Sequence, residues 1–366
     1  MKIKILFLIF GLFLIRPLPV LGISTSASAY ILYDMDSNRV LLGKNIHEPK
    51  LIASITKIMT CLIAIEQKNL DEVVKVDDSI AKSYGSGIYI QVGEELTLRD
   101  LLYGLMLRSG NDAALMISNY VAGSEEAFVV LMNQKAKELG MMDTTFVNCS
   151  GLDNDGGNYA SAYDMALLTS YANKYKEYQN IVKTKKYTLK TNYKTYIWYN
   201  KNKLLSLDYI TGGKTGFTEK ARRTLVTTAF KDNMNLVVVT LNDGNDWADH
   251  KRLYEYAFLN YTSYKILDKN KFMVLDDNYY NGSLYIKNDV YLSLKENEKE
   301  KVFNNIKLEK FKKYKDGDKV GENLIYIDDK LILKEDIYVK VKEEKNKKKE
   351  GFLKRIISFF KKILVD

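Results

Sequence analysis

The chain has 366 residues, enough for two or three domains, and 46% of them are hydrophobic, enough for a sizeable core. Its 21 glycines and 3 prolines argue against global disorder. The net charge of +9 comes almost wholly from lysine and suits an anionic membrane or cell wall; no nucleic-acid motif accompanies it, so no nucleic-acid partner is expected.

The chain opens with Lys2 and Lys4 ahead of an apolar run over 5–15, too short to span a bilayer and of the length of a signal-peptide core. A signal peptide over 1–22 is expected, with cleavage at Val20-Leu21-Gly22 or, as a second option, at Ala27-Ser28-Ala29. An uncleaved anchor stays open as the alternative, and either way the rest lies outside the cytoplasm. Strands follow at 30–34 and 40–42 around the turn Asp36-Ser37-Asn38. The spacing of Ile55, Ile58, Met59, Leu62 and Ile65 predicts a helix over 52–67. Further helices are expected at 98–107, 113–121 and 124–139. Strands return at 223–230 and 236–241, and 247–259 closes the unit as a helix. Strands at both ends around a helical middle give an α+β layout whose terminal strands share one sheet.

Composition shifts near Ser263. Short alternating segments at 271–275, 283–286, 290–294, 324–327, 331–333 and 337–341 predict a small all-β domain. The resulting division is 29–262 and 263–341. Residues 342–350 form a charged linker, and 351–366 form an amphipathic helix. There Phe352, Ile356, Phe360 and Ile363 share one face and Lys354, Arg355, Lys361 and Lys362 the other, the pattern of an in-plane membrane helix. A helix capping a domain is the other reading of that segment.

The chemistry is bounded by what is scarce. There are two histidines, His47 and His250, and two cysteines, Cys61 and Cys149. No zinc spacing and no Gly-x-Ser-x-Gly elbow exists, so no metal or other cofactor is expected. His250 lies in the closing helix and reads as structural. Cys61 reads as core packing, with a Cys61–Cys149 disulfide after export left open. A serine nucleophile would then need lysine as its base. Ser-x-x-Lys places both side chains on one helix face, but it occurs at Ser54–Lys57, Ser79–Lys82 and Ser358–Lys361. Only the first opens a long apolar helix, whose positive end disfavours a protonated Lys57 and favours negative charge on a substrate oxygen at Ser54. Two triplets follow in order: Ser109-Gly110-Asn111 in a tight turn, and Lys214-Thr215-Gly216 after Thr211-Gly212-Gly213. Each alone is common; the ordered set is a strong joint signal.

With these motifs the sequence resembles the low-molecular-mass penicillin-binding proteins, the serine-type D-Ala-D-Ala carboxypeptidases. Tyr33-Asp34-Met35-Asp36-Ser37, the segment from Ala53 to Thr60, the segment from Leu107 to Ala114, and Lys214-Thr215-Gly216-Phe217-Thr218 carry the likeness. The stretch ending Asn245-Asp246-Trp247-Ala248-Asp249 looks most like the branch of spore-forming bacteria. Asn158 departs from the histidine that many members carry there, which leaves the three motifs untouched and bears on the local loop. The resemblance implies a β-lactamase/transpeptidase-like domain with an antiparallel sheet and helices, then the β-domain and the terminal helix. It implies that Ser54 attacks the carbonyl of the terminal D-Ala-D-Ala bond and neutral Lys57 takes its proton. Ser109 relays a proton to the leaving nitrogen, and Asn111 positions Lys57 and substrate. Lys214 and Thr215 hold the carboxylate, Gly216 lets the substrate lie along the strand, and the amides of Ser54 and Phe217 form an oxyanion hole. The implied partners are the peptidoglycan stem peptide and β-lactam inhibitors. A class A β-lactamase would need a Glu-x-x-Leu-Asn segment, which Glu177-Tyr178-Gln179-Asn180 does not match. A transpeptidase and a catalytically silent wall-binding module remain as rivals.

Overall fold

The computed structural model describes residues 23–154, 156–275, 277, 279–280 and 284–341. The expected signal peptide, charged linker and amphipathic helix lie outside the described residues. The chain divides into two compact units after Thr262.

In the first unit β1 (Ala29–Asp34) and β2 (Arg39–Lys44) form the opening hairpin. A 3-10 turn, Ala53–Thr56, leads into α1 (Lys57–Gln67). Helices α2 (Leu98–Tyr103), α3 (Asn111–Ala122), α4 (Glu125–Glu138), α5 (Ala162–Ala172) and α6 (Lys176–Lys183) follow. Next come the small hairpin of β3 (Lys186–Lys190) and β4 (Thr195–Tyr199), and then β5 (Ile210–Thr218), β6 (Arg222–Lys231) and β7 (Met234–Leu241). The unit closes with α7 (Asp246–Asn260).

The strands assemble as one antiparallel sheet in the order β2-β1-β7-β6-β5, so the first and last strands of the unit do share it. Side chains alternate across a strand, and β1 shows the consequence. Ala29, Ile31 and Tyr33 enter a core with α1, α3 and α5, while Tyr30 and Leu32 enter a second core with Leu253, Tyr254 and Ala257 of α7. Because both faces are covered, the central strands read as continuous apolar runs. Burial of a large aliphatic side chain contributes about 1.5–3 kcal/mol, and Ile31, Leu32, Val237 and Val238 are each fully buried. Strand β5 is one edge of this sheet, β2 the other, and the motif Lys214-Thr215-Gly216 lies on β5.

The second unit is all-β. After β8 (Thr262–Leu267), β9 (Leu284–Tyr285), β10 (Val290–Leu294), β11 (Val302–Leu308), β12 (Lys319–Ile327) and β13 (Lys330–Val339) follow. They make a four-stranded antiparallel sheet, β9-β13-β12-β11, and a two-stranded pair, β8-β10.

Several expectations change. The predicted strand at 271–275 is irregular backbone. The two strands read at 331–333 and 337–341 are one, because Lys334, Glu335 and Asp336 also pair with β12. The predicted helix over 52–67 begins in the 3-10 turn, and α-helical geometry starts at Lys57. Cys61 and Cys149 are both free, and burial pushes both thiols' pKa values up. Among the described residues no helix is long and apolar enough to cross a membrane.

Candidate active site

Three pieces of chain meet at the outer edge of β5. The first is the turn before α1. Ala53 adopts a left-handed conformation (φ 49°), turning the backbone so that Ser54 faces outward while Ile55 and Ile58 enter the core. Gly151 (φ +87°) packs on the carbonyl of Ala53, and a Cβ there would overlap that oxygen. Only glycine tolerates both the angle and the approach.

The second piece is the turn before α3. A π-helical turn, Gly104–Arg108, ends at Ser109, also left-handed (φ 65°, ψ 37°), and α3 starts at Asn111. Its first two residues hold the preceding loop in place. The Asn111 amide nitrogen donates to the carbonyl of Tyr84 at 2.6 Å, and the Asp112 carboxylate accepts from the amides of Ile88 and Tyr89. That arrangement fixes Ser86 at the cleft.

The third piece is β5 itself. The Thr224 hydroxyl of β6 donates to the Ile52 carbonyl at 2.9 Å and so ties the sheet to the turn of Ser54. A Cβ on Gly216 would stand 3.0 Å from the Ser54 amide nitrogen and would overlap the Thr224 hydroxyl. Glycine is what allows the strand to pass this close to the nucleophile turn.

Lys57 lies at the centre, fully buried. Its Nζ is 3.1 Å from the Ser54 hydroxyl, 2.8 Å from Asn111 Oδ1 and 2.5 Å from the Ser150 carbonyl. Burial drives its pKa down to about 7, with the charge of Lys201 adding in the same direction. Asn111 Oδ1 and the Ser150 carbonyl are acceptors only, while the Ser54 hydroxyl can accept from the amine or, once the amine is neutral, donate to its lone pair. Lys214 is also buried, with Nζ 3.0 Å from the Ser109 hydroxyl and 2.6 Å from the Thr215 carbonyl. Burial, then Lys57 and Lys201, hold its pKa well below the usual lysine value.

The structure therefore brings Ser54, Lys57, Ser109, Asn111, Lys214, Thr215, Gly216 and Phe217 together. A cleft of about 350 Å³ exposes Ser54, Ser109, Thr215, Gly216 and Phe217, with Ser86, Lys201, Arg223, Asp246 and Trp247 completing its wall. The last five, and the Ser150 carbonyl and Thr224, were not anticipated from sequence. Ser150 precedes a turn glycine, which is a signal of sorts; Arg223 and Lys201 carry none. The other two Ser-x-x-Lys tetrads behave differently. Ser79–Lys82 lies in a 3-10 turn with its hydroxyl accepting from Asn119, and Ser358–Lys361 lies outside the described residues.

The remaining sequence candidates are placed as follows. His250 is sealed between two threonines, Nδ1 2.7 Å from the Thr227 hydroxyl and Nε2 3.1 Å from that of Thr240, and burial lowers its pKa to about 3. It is a neutral packing element. Glu177 ion-pairs with Arg99 at 2.6 Å and does not line the cleft. Asn158 is buried and bridges the loop, accepting from the amides of Val147 and Asn148 and donating to the Thr56 hydroxyl and the Asn148 carbonyl. Among the described residues no group of His, Cys, Asp and Glu could hold a metal ion.

Residues 19–245 match the family model of D-alanyl-D-alanine carboxypeptidases, and residues 261–348 match that of the C-terminal domain of penicillin-binding protein 5. The chain belongs to the D-alanyl-D-alanine carboxypeptidase family. It is 34% identical over 255 residues to the D-alanyl-D-alanine carboxypeptidase DacF of Bacillus subtilis (strain 168), covering 67% of this chain and 65% of that relative, a little under two thirds of its length. Penicillin-binding protein 5 of Haemophilus influenzae superposes with a TM-score of 0.72 at 25% identity, over 88% of this chain and 98% of that one. A point mutant of the Streptomyces K15 DD-transpeptidase superposes with a TM-score of 0.63 at 28% identity, over 65% of this chain and all (100%) of that one. The first unit thus has the α+β fold of this family and the second its all-β companion domain.

Proposed function

We propose that this protein is an exported serine-type D-alanyl-D-alanine carboxypeptidase that removes the terminal D-Ala from peptidoglycan stem pentapeptides. The observation that carries the reading is Lys57: a buried amine with a pKa near 7, held by two pure acceptors with its third contact on the Ser54 hydroxyl. That is the arrangement of a general base beside a nucleophile.

In the proposed reaction Ser54 Oγ attacks the carbonyl carbon of the D-Ala-D-Ala peptide bond while its proton passes to Lys57 Nζ. The amides of Ser54 and Phe217 receive the negative oxygen; the close passage of β5 beside Ser54 supports that placement. Collapse breaks the C–N bond. The Ser109 hydroxyl, in contact with Lys214, gives a proton to the leaving D-Ala nitrogen and is reprotonated by the proton that Lys57 took from Ser54, which leaves Lys57 neutral again. Asn111 fixes Lys57 and the substrate backbone, and the Lys214-Thr215 end of β5 receives the carboxylate end. Water then attacks the ester with Lys57 again as base, releasing the shortened peptide. A penicillin acylates Ser54 by the same steps, with its ring nitrogen as a leaving group that stays tethered.

The export segment at 1–22 places this chemistry at the outer face of the cytoplasmic membrane, and the amphipathic segment at 351–366 holds it there. The second unit, 263–341, serves as a spacer above the membrane.

The likeness to the K15 DD-transpeptidase favours a second reading, in which an amine rather than water accepts the acyl group. Incubating the protein with a stem pentapeptide and an amine acceptor separates the two. Free D-Ala with tetrapeptide supports the carboxypeptidase, and cross-linked dimer as the main product overturns it. Fast multiple turnovers of nitrocefin would instead indicate a β-lactamase.

A further inference from the structure

The loop between β11 and β12, residues 309–318, carries an unmatched charge. Its tip reads Lys310-Phe311-Lys312-Lys313-Tyr314-Lys315, with four lysines and no acid. All four lysines are exposed, and Phe311 beside them is 39% exposed. Other lysines of the second unit stand against acids: Lys265 pairs with Asp289 at 2.8 Å, Lys301 with Asp328 at 3.2 Å and Lys319 with Asp336 at 2.7 Å. Among the described residues none of the four tip lysines has a carboxylate partner. The acids of the loop sit at its base. There Asp316 Oδ1 accepts from the Val341 amide at 2.9 Å, and Asp318 Oδ2 from the Lys315 amide at 2.6 Å.

The loop is held in shape from beneath. The Tyr280 hydroxyl donates to the Glu309 carbonyl and accepts from the Phe311 amide at 3.3 Å. The Tyr279 hydroxyl donates to the Phe311 carbonyl at 2.7 Å. Tyr280 is 2% exposed, and Tyr314 packs edge-on against its ring with 5.0 Å between centres. A fixed backbone therefore presents one aromatic ring among four ammonium groups. That is the chemistry of a headgroup contact, with the ring at the acyl boundary and the lysines on lipid phosphates.

The end of β13 shows which surface lies nearby. The Gly317 amide donates to the Val339 carbonyl at 2.9 Å, and the Val339 amide to the Asp318 carbonyl at 3.0 Å. With the bond from Val341 to Asp316, these tie the chain's exit from the second unit to the base of this loop. Only 342–350 then separate the exit from the amphipathic segment 351–366. An extended chain of that length spans at most about 35 Å. The surface that takes the amphipathic segment is thus within reach of the loop. One reversible membrane signal gives marginal attachment, and stable anchoring takes two.

Resting on the membrane-attached reading above, we propose that the loop 309–318 is a second membrane contact that docks on anionic lipid. Phe311 enters the headgroup region, and Lys310, Lys312, Lys313 and Lys315 meet lipid phosphates.

The test measures partitioning of the full chain onto vesicles of phosphatidylglycerol with phosphatidylcholine, and of phosphatidylcholine alone. A lysine near an anionic surface is worth about fivefold. The variant carrying Lys312→Gln and Lys313→Gln is therefore expected to bind the anionic vesicles about 25-fold more weakly, with the difference shrinking in high salt. Its acylation by penicillin should match that of the parent. In Phe311→Trp, fluorescence should be quenched by brominated lipid beyond the level of the parent. Equal partitioning of parent and double variant, with no added quenching in Phe311→Trp, overturns the proposal. Binding of the full chain to soluble polyphosphate without partitioning onto vesicles also overturns it, assigning the loop to an anionic wall polymer. The same pair is compared in a chain lacking 351–366. If that truncation leaves partitioning unchanged, the anchor reading fails, and the lysine substitutions still decide the role of the loop.

Discussion

Lys214 on β5 and Ser109 in the turn before α3 meet with Nζ 3.0 Å from Oγ, although 105 positions separate them. Their contact is how the sheet edge and the helical half become one site. In the proposed reaction the two later motifs act together, each supplying half of a proton path on the leaving-group side.

The two residues acting as one unit should show in a double-mutant cycle. Ser109→Ala and Lys214→Gln are each expected to slow Ser54 acylation by about 100-fold, a general-acid contribution. The double substitution should cost little more than either alone. Losses that multiply would show the pair to act independently.

The pH profile follows from Lys57. A base must be neutral to accept a proton, and the pKa of Lys57 is lowered to about 7. Acylation rate should therefore rise with pH through about 7 and fall tenfold per unit below it, as the ammonium form takes over. His250 does not titrate in this range, being held neutral with a pKa of about 3. The acidic limb of the stopped-flow profile should persist in His250→Gln, and its disappearance there would reassign the limb.

The loop that presents the Ser150 carbonyl to Lys57 rests on Asn158 and Gly151. Asn158→Ala removes several buried hydrogen bonds and leaves the Val147 and Asn148 amides unpaired, a loss of about 2–3 kcal/mol in denaturant unfolding. Gly151→Ala combines a positive φ with an overlap on the Ala53 carbonyl and should cost at least about 2 kcal/mol. Both variants should lose penicillin acylation more steeply than stability, because both move Ser54 or Lys57. Wild-type acylation in either would show the loop to be independent of the site.

Membrane attachment is assigned to the end of the chain. Removing 351–366 should shift the protein from the membrane pellet to the soluble fraction with its acylation rate intact. A truncated protein that stays with the membrane contradicts that anchor.

The three site motifs were legible because each is local: the spacing from Ser54 to Lys57, the Ser109-Gly110-Asn111 turn and the Lys214-Thr215-Gly216 strand are written in nearby residues. The shared sheet was legible because apolar strands at 30–34 and 236–241 bracket a helical middle. What sequence did not show is set by tertiary partners. Helix α5 is buried around most of its circumference and so lacks a polar stripe to mark it. Helix α6 has eight residues, too few for its period to stand out. The charged run Lys334-Glu335-Asp336 lacks apolar alternation and so interrupts the strand pattern, but it is strand paired to β12. Arg223 becomes a cleft residue only through the β5–β6 register and Asp246. The Ser150 carbonyl reaches Lys57 only because Gly151 can sit against Ala53.

The measurement that bears most directly on the account is covalent labelling of the intact protein and of Ser54→Ala with a fluorescent penicillin, followed by peptide mapping. The account predicts one stable adduct on the peptide containing Ser54, and none in Ser54→Ala. Undiminished labelling of Ser54→Ala, or an adduct mapped to the Ser79–Lys82 segment, would contradict it.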